Sequence, residues 1–364
     1  MLRVLLLILL ALHGSIHLMG FSKSINPESF SQLKQSATAF QGILWLITTI
    51  LFLGAAVLFL FHKHFWWLIA LAAVVLSQYL VIIFWNEAKF GTIANILIIL
   101  AIIVGFAQWK FAGTYREDVQ TLLQRNISTE ILTEEDIRPL PDAVKKYIRY
   151  TGYIGKKKIS SFKAEFEGQI RSSDSSDWMN FRATQYSLID EPSRYFFIKA
   201  SMKGIPVDGY HRFKDGKAVM DIRAASLVKV QYAEGPEMNV AETVTHFNDM
   251  CLLAPGSLIH SNITWENISD NEVRAKFTNQ RKTISAILQF NNKGELINFI
   301  SDDRYYSSSS NKMQKASWMT PVRDYKEEGG IRFPTYGEAI WSMPEGNFTY
   351  AKMKIHSIVP NPAE

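Results

Sequence analysis

Two histidines one helical turn apart in an apolar run are the first residues of this sequence with the means to do chemistry. His13 and His17 stand in "LHGSIHLMGF" (12–21), at the end of a run that begins "LRVLLLILLAL". Residues i and i+4 share one face of an α-helix, so both imidazoles point the same way. Such a pair can ligate a metal or haem, relay a proton, or hydrogen-bond to a neighbouring helix. Gln78 and Asn95 fall at similar depths in later apolar runs, with Glu87 in the turn above them. Polar groups inside a bilayer are expensive unless they face one another. The sequence therefore predicts an intramembrane polar cluster of His13, His17, Gln78, Glu87 and Asn95 that ties helices together by hydrogen bonds.

The remaining titratable residues make no catalytic signature. H-E-x-x-H, the P-loop, G-x-G-x-x-G and G-x-S-x-G are all missing from the sequence. His211, His246, His260 and His356 are scattered, and the lone Cys251 allows neither an intrachain disulfide nor a cysteine metal site. Asp302, Asp303 and Arg304 with Arg323 and Asp324 read as cross-strand Arg–Asp pairs. No catalytic residue, metal or cofactor is predicted, and the reading leans away from an enzyme.

Positioning these residues falls to two parts of the chain. Of its 364 residues, the first 109 hold only five Lys/Arg and two acids, whereas the rest is polar and nearly neutral. No clustered basic face marks a nucleic-acid binder. Four apolar runs, about 3–21, 42–61, 65–85 and 91–109, match the ~20 residues a span requires. They define a transmembrane domain over 1–110 with the lipid bilayer as its partner. Four spans put both termini on one side of the membrane. Lys/Arg at the loop ends are too evenly divided to orient the bundle.

A helical linker is expected over 111–152, where "LPDAVKKYIRYTG" opens with Pro141 near the first helical turn and closes with Gly152. From there the period changes to two. "SFKAEFEGQIR" (161–171) alternates throughout, with Phe162, Ala164 and Phe166 on one face. About a dozen further strand-like runs follow, many joined by turns such as "KDGK", "NNKG" and "EEGG". One helix interrupts them near 237–253. The fold class is thus α+β: a four-helix transmembrane bundle, then an antiparallel β domain over 153–364 curved into a half-barrel, with a helical lid.

"LQFNNKGELINFISDDRYY" (288–306) and "YKEEGGIRFPTYGEAIW" (325–341) resemble the late strands of the LolA-like lipoprotein-carrier superfamily. The whole chain resembles a bacterial family of multi-span membrane proteins that share "LPxAVxxYIRYTG", "TPVRDY" and the "WNEAKFGTIAN" turn. The family has no assigned activity and implies a fold only. The superfamily resemblance implies a curved sheet around an acyl-chain cavity on the extracytoplasmic side of a bacterial inner or cell membrane. The expected lining or lid is Phe162, Phe166, Phe197, Phe213, Trp265 and Trp341, with Leu252, Leu253 and Leu258 in and after the helix. Binding of an acyl chain or other apolar ligand is the expected function. A sensory or scaffolding protein with a packed, ligand-free β domain is the alternative.

Overall fold

The computed structural model describes residues 2–29, 34–125, 128–307 and 313–363. It divides into two compact units, Met1–Gly113 with Ala225–Leu227, and Thr114–Ala224 with Val228–Glu364.

In the first unit, uninterrupted apolar sequence forms α1 (Leu2–Ile25), α2 (Ala39–Leu60), α3 (Trp66–Ile83) and the start of α5 (Gly91–Leu123). A one-turn α4 (Trp85–Ala88) lies between the last two. All four long helices are long and apolar enough to cross a membrane. Thr38 starts α2 with a reciprocal cap, its hydroxyl taking the Gln41 amide proton while the Gln41 side chain accepts from the Thr38 N–H. Small residues let α1 approach α2 closely: a Cβ on Gly20 would collide with the Trp45 indole. The helix α5 does not stop where its apolar stretch ends. It continues to Leu123, and its last turns belong to the second unit.

The second unit adds α6 (Glu134–Ile137) and α7 (Asp142–Thr151), which stops at Gly152 with φ 78°. A left-handed C-cap of this kind favours glycine. Then follow β1 (Ser161–Ile170), β2 (Met179–Leu188), β3 (Ser193–Met202), β4 (Ile205–Lys214), β5 (Lys217–Ala224) and β6 (Val228–Glu234). After α8 (Pro236–Leu253) come β7 (Ile263–Ser269), β8 (Glu272–Asn279), β9 (Lys282–Phe290), β10 (Leu296–Ser307), β11 (Met313–Met319), β12 (Val322–Glu328), β13 (Ile331–Met343) and β14 (Gly346–Pro360). Each meander runs strand beside next strand, and the first strand pairs with the last, giving the order β6-β5-β4-β3-β2-β1-β14-β13-β11-β10-β9-β8-β7. The strands β11 and β12 pair with β13 in one continuous register. They are one line interrupted at Thr320 and Pro321, where proline has no N–H to give the ladder.

This topology decides where α8 goes. It joins β6 to β7, the two opposite edges of the sheet. Its 18 residues span about 27 Å at ~1.5 Å each, enough to cross the concave face. Every residue from Ala241 to Leu253 is buried, and Phe247, Met250 and Leu253 join one core with Phe162, Phe166, Phe277, Phe299 and Trp341. The expected architecture of apolar helices followed by a curled antiparallel half-barrel is present. Its helix fills the concavity.

Candidate functional site

In the helical unit, the polar side chains of three helices meet. The His13 Nε2 lies 2.9 Å from Asn95 Oδ1, which has only lone pairs to offer, so His13 carries its proton on Nε2. His17 Nδ1 faces the carbonyl of His13 at 2.7 Å and must donate there. Its Nε2 is therefore an acceptor, and the Ser77 hydroxyl at 2.9 Å supplies the proton. Ser77 Oγ also lies 3.2 Å from His13 Nε2. Asn95 passes the network to Gln78 at 3.0 Å, and Gln78 to Thr92 at 3.2 Å. Three of the four ring nitrogens are thus engaged, leaving His13 Nδ1 as a lone pair. Glu87 stands apart from this chain; its Oε1 caps the backbone N–H groups of Lys34 and Gln35.

Beside the histidines lies a cavity of about 330 Å³, walled mainly by apolar groups such as Val81, Phe84 and Ala94, with Trp45 also in its wall. That volume is at the lower end of small-molecule sites, about 300–1,000 Å³. The Trp45 Nε1 and Glu87 Oε2 at its margin are buried without a hydrogen-bond partner among the described residues.

In the sheet unit, the concave face holds a buried ionic triad. Arg194 on β3 donates from Nε to Asp249 at 2.7 Å and from Nη1 to Glu242 at 3.3 Å, both carboxylates standing on α8. Gln185 adds a bond to Asp249 at 2.8 Å. Burial pulls the Arg194 pKa down, but the two carboxylates outweigh it and the net shift is upward. His211 on β4 lies next to the triad, its Nδ1 4.0 Å from Glu242. Burial, then the charges of Arg194 and Arg304, push its pKa down to about 3. Towards one end of this face, rings from four strands gather around Arg304: Trp318, Trp341, Tyr306 and Tyr350.

The sequence-derived residues fall into three groups. His13, His17, Gln78 and Asn95 form one network, whose bridging member Ser77 carries no signal in the sequence, since a hydroxyl in a span usually bonds back to its own helix. Phe162, Phe166, Phe213, Leu252, Leu253, Leu258 and Trp341 are buried. Trp265, on edge strand β7, is half-buried against the same core. Phe197 must be corrected. It lies on the convex face, where its ring meets Tyr115 of α5 at 5.2 Å, because its neighbour Phe196 takes the inward position of the pleat. The expected Arg–Asp pairing across strands is also replaced. Asp303 binds Lys315 at 2.8 Å, Arg323 reaches Asp324 at 3.7 Å, and Arg304 stacks on Trp318. Among the described residues, no three His, Cys, Asp or Glu side chains converge in a metal-ligating group.

Fold and sites together define a protein class in which apolar helices precede a curled antiparallel half-barrel whose concavity is filled by its own crossing helix. Residues 130–353 match the family of unknown function DUF6544, and the chain belongs to that family. Among solved structures, it is similar to a LolA superfamily protein from Nitrosomonas europaea, with 10% identity and a TM-score of 0.35 over 61% of this chain and 93% of that one. It is also similar to a DUF1329 family protein from Desulfovibrio piger, with 9% identity and a TM-score of 0.34 over 64% and 94%. The search of curated proteins finds no match.

Proposed function

We propose that this protein is held in a bilayer by α1, α2, α3 and α5 and binds a lipid-like apolar ligand. The observation that carries the reading is the cavity of about 330 Å³ in the helical unit, with apolar walls and the His13–Ser77–His17 network at one side. An alkyl chain satisfies the walls, and each buried methylene contributes about 0.8 kcal/mol. His13 Nδ1 and the Trp45 N–H give such a ligand one acceptor and one donor. The sheet is the second place for an apolar ligand. Its deep concave face is occupied by α8, so the place for a chain is the end where Tyr306, Met343 and Tyr350 remain half-buried.

Native mass spectrometry of the full chain, extracted in detergent and stripped of loosely held lipid, tests this. One lipid-like adduct per chain is expected to persist. Filling the cavity by Ala94→Trp, or by Ala37→Trp at another wall, should remove it. A wild-type chain without adduct, or an adduct indifferent to both changes, leaves the sensory or scaffolding alternative standing.

With four spans, the N-terminus and the sheet unit share one side. We place that side outside the cytoplasm, as the sequence resemblance implies; long domains cross despite flanking charge. Reporter domains fused after Glu364 are expected to be active only in export-dependent form. Activity only of a cytosolic reporter would reverse the assignment.

A further inference from the structure

We propose that Arg304 and the hydroxyl of Tyr350 form a site for the anionic head of an amphiphile, with the surrounding rings as the wall for its apolar tail. A backbone irregularity creates the site. Ser301 pairs with Trp318, but Arg304 pairs with Ala316, so two residues of β10, Asp302 and Asp303, oppose the single Ser317 of β11. That β-bulge reverses the alternation set by Phe299 and Ser301. Without it Arg304 would face outwards. With it, Arg304 and Tyr306 face the concave side.

There the guanidinium carbon lies 4.0 Å from the Trp318 ring centroid and 5.5 Å from that of Trp341. Arg171 and Arg194 also stack on rings, but each has an acid: Arg171 pairs with Asp174, and Arg194 with Asp249 and Glu242. Arg304 pairs with no carboxylate among the described residues. Asp303, its neighbour in sequence, is taken by Lys315 and the Ser285 N–H. The Arg304 Nε is buried and has no hydrogen-bond partner among the described residues.

Tyr350 adds a second donor by elimination. Its oxygen accepts from Trp318 Nε1 at 3.2 Å and from Arg304 Nη1 at 3.4 Å. Both lone pairs are then used, and the phenolic proton is free to be given. A forked cation and an O–H donor side by side suit a carboxylate or phosphate oxygen. The half-buried ring of Tyr306, 5.4 Å from that of Trp341 between centroids, offers an apolar face beside them. The chemistry fits the head of a free fatty acid or of an anionic phospholipid.

Calorimetric titration of the full chain in phosphatidylcholine nanodiscs, with octanoate and octanol as probes, tests the proposal. Octanoate should bind saturably and at least about tenfold tighter than octanol, charge-assisted hydrogen bonds being the stronger class. Arg304→Met should abolish that preference and leave octanol unaffected. Arg304→Lys should keep part of it, and Tyr350→Phe should weaken octanoate severalfold. Equal binding of the two probes by the wild type overturns the proposal without any variant having to fold. A preference that survives both Arg304→Met and Tyr350→Phe overturns it as well. Repeating the octanoate titration in nanodiscs containing phosphatidylglycerol separates the sources: blocked binding assigns the site to a lipid head group, and unchanged binding to a free carboxylate.

Discussion

Arg194→Met is expected to destabilise the sheet unit by about 3–5 kcal/mol, the range for removing one partner from a buried ion pair. The effect does not measure what the triad contributes. Glu242 and Asp249 are almost fully shielded from solvent, and α8 cannot turn them outwards while Phe247, Met250 and Leu253 hold it in the core. With Arg194 gone, two carboxylates remain buried near each other with Gln185 as the main donor. For a unit of this size, the loss corresponds to a fall of roughly 10 °C in Tm. The triple change Arg194→Met, Glu242→Met, Asp249→Asn should recover most of the stability, because the charges leave together and the new asparagine amide still offers Gln185 an acceptor oxygen. Thermal melts of the full chain in detergent separate the cases. A triple variant no more stable than the single one would show that the triad is a net source of stability and not a charge-balanced device for orienting α8.

Much of the fold was legible because local rules and tertiary demands agree. "LPDAVKKYIRYTG" makes α7 and ends at Gly152, as proline and glycine placement required. "SFKAEFEGQIR" buries Phe162, Ala164 and Phe166 on the face its alternation assigned. "KDGK" turns β4 into β5 with Asp215 and Gly216 both at positive φ, 52° and 66°, the geometry two-residue hairpins favour.

What the sequence hid depends on non-local placement. The alternation of β3 is carried on both faces by aromatic residues, so nothing in "RYFFIK" says which phenylalanine turns inwards. It is the end of α5, laid on the convex face with Tyr115 and with Asp118 bonded to Tyr210 and Arg212, that gives Phe197 a buried place there. Arg304 was unreadable for a different reason. A bulge changes which side chains face in, and no residue type in "SDDRYY" announces it. The helix α8 looked like a cover because it interrupts the strands; only the pairing of β1 with β14 shows that it must run from edge to edge through the middle.

His246→Leu is expected to raise stability, and to raise it more as the pH falls. His246 stands on α8 between Phe213 and Phe277, with ring centroids 6.0 and 6.1 Å away, and is completely buried. Neither ring nitrogen has a hydrogen-bond partner among the described residues. A buried polar group left unpaired costs about 1–3 kcal/mol, which leucine of similar bulk avoids. The pH term adds to this. Burial, then the nearby charges of Arg194 and His260, hold the folded pKa at about 3, whereas the unfolded chain titrates near 6.5. Between those values the unfolded state binds the proton and the folded state does not. Stability is therefore complete above about pH 6.5 and declines as the pH falls towards 3. At pH 5 this one group accounts for about 2 kcal/mol of loss. Melts of wild type and His246→Leu at pH 8 and pH 5 give the test: the gap between them should widen by several degrees on acidification. A constant gap would mean that His246 takes up its proton in the folded chain as readily as in the unfolded one. A leucine variant less stable at both pH values would mean that the imidazole has a partner, and a stabilising one.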